Sequence, residues 1–176
     1  MSRPEHPRVA AISSLLAEAG ATGQVLELPG SARTAAEAAG ELGVPIGAIA
    51  NSLLFDADGA PLLVLTSGAH RVDVTKVAAL LGVRGVRPAS PGFVRQHTGQ
   101  PIGGVAPIGH PHPIGTLVDV ELARHDRVWA AAGHPRAVFP TTYEELLQLT
   151  GGTAAEVGNG PDPAHPVALR ETVEAR

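Results

Sequence analysis

Helical and strand patterns follow one another along this chain without a regular βαβ rhythm, and several joins are hairpin-like. That order predicts a single domain of mixed α/β (α+β) class built on a mixed sheet, not a doubly wound Rossmann chain. Two further observations support it. Helical segments are bracketed by Ser, Thr or Asp at the start and Gly at the end. The 176 residues are 44% hydrophobic, 17% charged and 3% aromatic, which suits one core of Ala, Val, Leu and Ile. The 21 glycines and 16 prolines show no G-x-y period, so they read as turns rather than collagen.

The elements follow in order. Residues 7–19 place Val9, Ile12, Leu15 and Leu16 at helical spacing before Gly20. Residues 24–28 alternate as a short strand. Thr34 and Glu37 form a capping box opening a helix to Leu42, with Gly43 as its stop. Residues 46–55 and 61–66 read as two strands joined at Asp56-Ala57-Asp58-Gly59, a hairpin signal. Asp73 caps a helix over 74–81 that ends at Gly82, and 84–87 reads as a short strand. Ser90-Pro91 starts a helix closed by Gly99. Residues 117–120, 127–132 and 137–139 read as strands. Thr142 and Glu145 form a second capping box, and that helix stops at Gly151. The domain is therefore expected over residues 1–152. Residues 153–176 are expected to be a flexible C-terminal tail, with one loose helix near 167–175.

Several function classes are excluded by composition. The chain has no cysteine, so disulfides, thiolate metal sites and a cysteine nucleophile are absent. No apolar run approaches the ~20 residues of a membrane-spanning helix, and residues 1–7 lack the apolar region of a signal peptide. A cytoplasmic location with no membrane partner is the expectation. The net charge of −4 argues against a protein coated throughout for nucleic acid. Yet no acidic residue lies between Asp73 and Asp119, a stretch holding Lys76, Arg84, Arg87 and Arg95. Lys76 is the chain's only lysine.

The most distinctive segment is residues 98–109, Thr98 to Gly109, with Gly103-Gly104, Pro107 and Gly109 among apolar residues. Glycine allows close approach of a ligand and proline stiffens the path; exposed N–H groups there can hold an anion or polarised carbonyl. A tight structural turn explains the same residues. No Walker or G-x-G-x-x-G pattern is present. His110 and His112 lack the third ligand that a metal site needs, so no metal and no cofactor is expected. His134, in Ala132-Gly133-His134-Pro135-Arg136, fits a general base, a substrate contact or a solvated turn residue. Ser52, Ser67 and Ser90 lack a nucleophile-elbow pattern.

The order of blocks resembles the YbaK/prolyl-tRNA synthetase-associated domain family. The matching blocks are Thr34–Ala39 with Leu42-Gly43-Val44, residues 49–55, residues 68–76, the 98–109 loop, Val128–Gly133 and Ala137–Phe139. The resemblance spans about residues 30–150. It implies a curved mixed β-sheet flanked by helices and a trans-editing deacylase that hydrolyses the ester of mischarged tRNA without a metal, the neighbouring ribose hydroxyl assisting. It implies that Gly103 and Gly104 line the aminoacyl pocket, that Asn51 acts with them in catalysis, and that Ser52, Thr98, Pro107, Gly109 and His134 contact substrate. The partner implied is the aminoacyl-tRNA acceptor end, which Arg84, Arg87 and Arg95 would meet. One departure stands out: relatives usually carry a lysine where this chain has Asn51. Asn is neutral and both donor and acceptor. The alternative is therefore a non-catalytic binder of aminoacyl-tRNA or an aminoacyl ligand; a third reading is an interaction module keeping only the fold. Oligomeric state, amino acid and tRNA are left open.

Overall fold

The polar residues that start four of the helices do so through their side chains. In a computed structural model that describes residues 6–30 and 34–158, Thr34 accepts from the Glu37 N–H at 3.1 Å ahead of α2 (Ala35–Leu42). Asp73 accepts from the Lys76 N–H at 3.1 Å ahead of α3 (Val74–Leu81). Ser90 caps α4 (Pro91–Thr98) and Thr142 caps α5 (Tyr143–Thr150). Each of these four helices stops at the glycine that follows it, satisfying the usual left-handed C-terminal geometry. The Glu145 carboxylate does not close its box: it accepts from the Thr141 hydroxyl at 2.7 Å. The first helix, α1 (Pro7–Glu18), is capped by the His6 ring, whose Nδ1 accepts from the Arg8 N–H at 3.2 Å.

The strands are β1 (Leu26–Glu27), β2 (Ile49–Ala57), β3 (Ala60–Ser67), β4 (Val86–Pro88), β5 (Gly115–Asp119), β6 (Val128–Ala131), β7 (Ala137–Thr141) and β8 (Thr153–Ala155). They form one mixed sheet in the order β1-β7-β6-β2-β3-β5-β8, with β4 added to β2. The pairs β2–β6, β3–β5 and β5–β8 are parallel; the others are antiparallel. The expected mixed class is therefore present. Both faces are covered. Ala50, Leu54, Leu63, Leu65 and Phe139 pack under α1, α4 and α5. On the opposite face Phe55, Ala57, Leu62 and Val64 pack under α3, and Ile49, Trp129 and Val138 under α2. Burial on two faces explains the unbroken apolar run Leu62–Leu65.

Three departures from the sequence reading have identifiable causes. Residues 46–48 form a short 3-10 turn, not strand, because the Ala48 N–H closes on Pro45 O at 3.0 Å. Strand β4 starts two residues late because the Asp58 carboxylate takes the N–H groups of Arg84 and Gly85, at 2.8 and 3.1 Å. Residues 153–158, read as the start of a tail, join the sheet. Strand β8 pairs with Leu117, Val118 and Asp119, Val157 is fully buried, and its carbonyl accepts from the Asp73 N–H at 2.9 Å. The remainder of that tail, including the loose helix near 167–175, lies outside the described residues. Among the described residues no helix is long and apolar enough to cross a membrane.

Candidate active site

One edge of β2 is shared by two partners. Ile49 and Ala50 register with Trp129 and Ala130 of β6. Phe55, Asp56 and Ala57 register with Pro88, Arg87 and Val86 of β4. Between them the sheet forks. Leu54 O still accepts from the Ala89 N–H at 3.1 Å, but residues 51–53 have no ladder partner on this edge among the described residues. Side chains alternate along a strand. Asn51 therefore shares the α2–α3 face with Ile49 and Phe55, while Ser52 shares the opposite face with Ala50 and Leu54.

A cavity of about 300 Å³ opens at the fork and draws its walls from both faces. Asn51 and Ser52 form its floor with their strand neighbours. Thr34, Ala35 and Ala38 come from the start of α2, Trp129 and Val138 from β6 and β7, and Ile102, Gly103 and Val105 from the distinctive loop. Among the described residues Thr34, Asn51 and Ser52, with the Trp129 indole N–H, bring polar groups, and none that lines the cavity is charged. The Ser52 Oγ is buried with no protein hydrogen-bond partner. A desolvated hydroxyl of this kind costs about 1–3 kcal/mol.

The loop is braced from within by Gln100, a residue the sequence reading did not single out. It is buried, its Oε1 accepts from the Ala106 N–H at 2.7 Å, and its Nε2 donates to Ile108 O at 3.3 Å. A lone amide in a Gly/Pro-rich segment was the available signal. The two central glycines differ in role. Gly103 is exposed, lines the cavity and has φ +90° with open space where a Cβ would sit. Gly104 is buried against the backbone of His134: an added Cβ would lie 2.8–3.0 Å from His134 C, Cα and N.

The other expected substrate contacts do not line the cavity. Thr98 is fully buried; its hydroxyl donates to Val94 O at 2.7 Å and accepts from the Gln100 N–H at 3.0 Å. Thr98→Val is expected to lower unfolding free energy by about 1–2 kcal/mol in a urea titration while leaving substrate KM unchanged. Pro107 is buried within the loop, and Gly109 packs on α1, where a Cβ would meet Ile12 Cδ1 at 2.5 Å. His134 supports Gly104 through its backbone, and its neighbour Pro135 lines the cavity. Its Nδ1 accepts from the Arg136 N–H at 3.1 Å. Partial desolvation, then the neighbouring His6, Arg8 and Arg136, hold its pKa below the ordinary value against the opposing charge of Glu27.

Arg84, Arg87 and Arg95 lie on the surface and none lines the cavity. Arg87 pairs with Asp56 at 3.2 Å; its neighbour Pro88, like Val94 beside Arg95, belongs to the wall. Lys76 lies on α3, with its ammonium 3.3 Å from Gly158 O and 3.4 Å from Glu156. His110 Nε2 lies 2.9 Å from Ala106 O, and burial pushes its pKa down. No cluster of three metal-ligating side chains occurs among the described residues.

Behind the floor lies a buried polar cluster that the sequence reading missed. Asp119 is fully buried. It accepts from the Thr66 hydroxyl at 3.2 Å, the Ser67 N–H at 3.0 Å, the Glu121 N–H at 3.0 Å and His70 Nδ1 at 2.9 Å. Thr66 and Ser67 are the register partners of Asn51 and Ala50, so this carboxylate fixes the strand against which the site is built.

Comparison with known proteins places this arrangement. A family model described as the aminoacyl-tRNA editing domain matches residues 29–149. Protein YwhH of Bacillus subtilis is 33% identical over 127 residues, 72% of this chain and 80% of its own. Proline–tRNA ligase of Nitratidesulfovibrio vulgaris is 30% identical over 152 residues, which cover 76% of this chain but 26% of the ligase; the chain thus spans about a quarter of that enzyme. A solved structure described as a candidate trans-editing enzyme for prolyl-tRNA synthetase superposes with a TM-score of 0.83 and 40% identity, covering 89% of this chain and all of its own. Because the family model matches residues 29–149, well over half of the chain, the chain belongs to the aminoacyl-tRNA editing domain family.

Proposed function

We propose that this protein hydrolyses, in trans and in the cytoplasm, the ester of an aminoacyl-tRNA carrying a small uncharged amino acid. The observation that carries the reading is the uncharged cavity at the β2 fork. Its volume is at the small end of the ~300–1,000 Å³ typical of ligand pockets. Gly103 gives the acylated ribose a side-chain-free approach to backbone, and Asn51 and Ser52 supply neutral hydrogen-bonding groups. The family model and the likeness to a candidate trans-editing enzyme for prolyl-tRNA synthetase support tRNA for proline as the adaptor.

Among the described residues that line the cavity none is titratable, and in this reading the chemistry falls to water and substrate. Water attacks the ester carbonyl, the carbon–oxygen bond to the ribose breaks, and the proton passes to the ribose oxygen with help from the neighbouring hydroxyl. The protein's part is positioning and the stabilisation of developing charge by oriented dipoles. Asn51 in place of the family lysine favours a second reading, a binder that retains the ester, since a neutral hydrogen bond contributes about 1 kcal/mol against about 1.5–3 for a charged one.

Incubation with a panel of mischarged tRNAs separates the two. Accelerated release of one amino acid is expected; protection of every ester establishes the binder. Asn51→Ala is expected to lower kcat/KM about fivefold. Ser52→Ala is expected to lower it similarly while unfolding stability is unchanged or higher, because the hydroxyl has no partner in the free protein. Unaltered kinetics in both variants remove these residues from the site.

A further inference from the structure

Two guanidinium groups and two imidazole rings gather where the cavity wall meets α1. His6 and Arg8 lie at the start of that helix, and His134 and Arg136 flank Pro135, itself a wall residue. The His6 and His134 rings are 5.0 Å apart, and Arg8 Nε donates to Gly133 O at 3.1 Å. Each ring uses Nδ1 to accept a backbone N–H, which leaves Nε2 as the donor. The Arg136 Nε is buried with no hydrogen-bond partner among the described residues. Neither Arg8 nor Arg136 forms an ion pair among the described residues, although the chain as a whole is acidic. A buried guanidinium donor with nothing to donate to, beside a second guanidinium and two imidazoles, calls for an oxyanion able to take several donors at once, which is the geometry of a phosphate.

We propose that Arg136 and Arg8, with His6 and His134 beside them, form a phosphate subsite at the mouth of the cavity, which takes the phosphodiester adjoining the acylated terminal nucleoside. The identity of the ligand as an RNA end rests on the function proposed above; the anion site rests on the cluster alone. The subsite adjoins the cavity through Pro135, the wall residue between His134 and Arg136, so it would anchor the nucleotide while the acyl group enters the fork. It also differs from the exposed arginines at 84, 87 and 95.

The test compares the dinucleotide CpA, which contains one phosphodiester, with adenosine, which has none, by calorimetric titration of the full chain. CpA is expected to bind about tenfold or more tightly. Arg136→Gln loses no side-chain hydrogen bond among the described residues, so its unfolding midpoint is expected to be unchanged. In it CpA affinity falls to that of adenosine, adenosine affinity is unaltered, and the salt dependence of CpA binding weakens by about 0.7 in log–log slope. Arg136→Lys restores part of the loss. With aminoacyl-tRNA, Arg136→Gln raises KM and spares kcat. Equal binding of CpA and adenosine, or an unaltered CpA affinity in Arg136→Gln, overturns the subsite. If no ester is cleaved but the CpA pattern holds, the subsite stands and the hydrolytic reading fails alone. Cleavage with CpA affinity insensitive to Arg136 removes the subsite alone.

Discussion

Gly104→Ala is expected to lower deacylation about a hundredfold, the larger of the two glycine effects at the loop. An alanine Cβ at this position would lie 2.8–3.0 Å from three backbone atoms of His134. Backbone cannot rotate away as a flexible side chain would, so either the loop or the 132–136 turn must move. Both are cavity walls: Ile102, Gly103 and Val105 on one side, Pro135 and Ala137 on the other. Overpacking of this kind costs about 1–3 kcal/mol of stability, and a displacement near 1 Å in a positioning wall is enough for about a hundredfold in rate. Gly103→Ala makes the contrast. Its Cβ meets nothing within 4 Å, so the cost is confined to a left-handed backbone, about 1–2 kcal/mol. Single-turnover deacylation with each variant, beside its urea midpoint, separates the two. A Gly104→Ala enzyme with full activity would show that the loop and the His134 turn do not set the site.

The two glycines also show how far sequence could go. They are adjacent, flanked by similar residues, and carry the same expectation of lining the pocket. What separates them is a turn 30 residues away that packs against one and not the other. Local signals were legible throughout: Thr34, Asp73, Ser90 and Thr142 each start a helix, and a glycine stops each one. The hairpin at Asp56–Gly59 forms as read, with the Gly59 N–H donating to Asp56 Oδ1 at 2.6 Å. The fork in β2 was not legible, because it depends on which remote strands, β6 and β4, claim the two halves of one edge. Asn51 and Ser52 were found as site candidates through the block they belong to; their opposite orientation comes from strand parity and the register. Thr98, Pro107 and Gly109 belong to the same loop but face its own interior and α1. Residues 153–155 carry only a short, weak strand pattern, and become β8 because β5 offers a free edge.

The largest stability effect is expected at Asp119. This carboxylate has no exposure and holds four hydrogen bonds from the ends of two strands and from His70. Burial alone would raise its pKa; hydrogen bonds from His70 and from the Glu121 and Ser67 N–H groups more than offset this and hold it below the ordinary 3.8. His70 moves the other way. Its hydrogen bond to Asp119 raises its pKa against the opposing effect of burial, with further help from the charges of Asp119 and Glu121 and slight opposition from Arg124, leaving it above 6.5. Linkage then assigns the pH window. The His70 contribution is full below 6.5 and is lost as pH rises through the folded value. The Asp119 contribution is full above 3.8 and is lost as pH falls through the folded value. Both are complete between roughly 3.8 and 6.5. Asp119→Ala is expected to cost about 3–5 kcal/mol, the range for breaking a buried pair by removing one partner. The gentler Asp119→Asn keeps the volume and tests the charge. Its deficit relative to wild type, measured by urea unfolding, should be larger at pH 5 than at pH 8. With the carboxylate charge gone, His70 keeps the burial that lowers its pKa, so the variant should gain stability relative to wild type as pH rises. Equal deficits at the two pH values would show that the pair is not ionised in the folded state and that Asp119 acts through hydrogen-bond geometry alone. Because Thr66 and Ser67 face Asn51 and Ala50 across the ladder, the same variant should also lower deacylation under conditions where it remains folded. The loss would appear in kcat rather than KM, as expected of a residue that positions the floor of the site without touching the substrate.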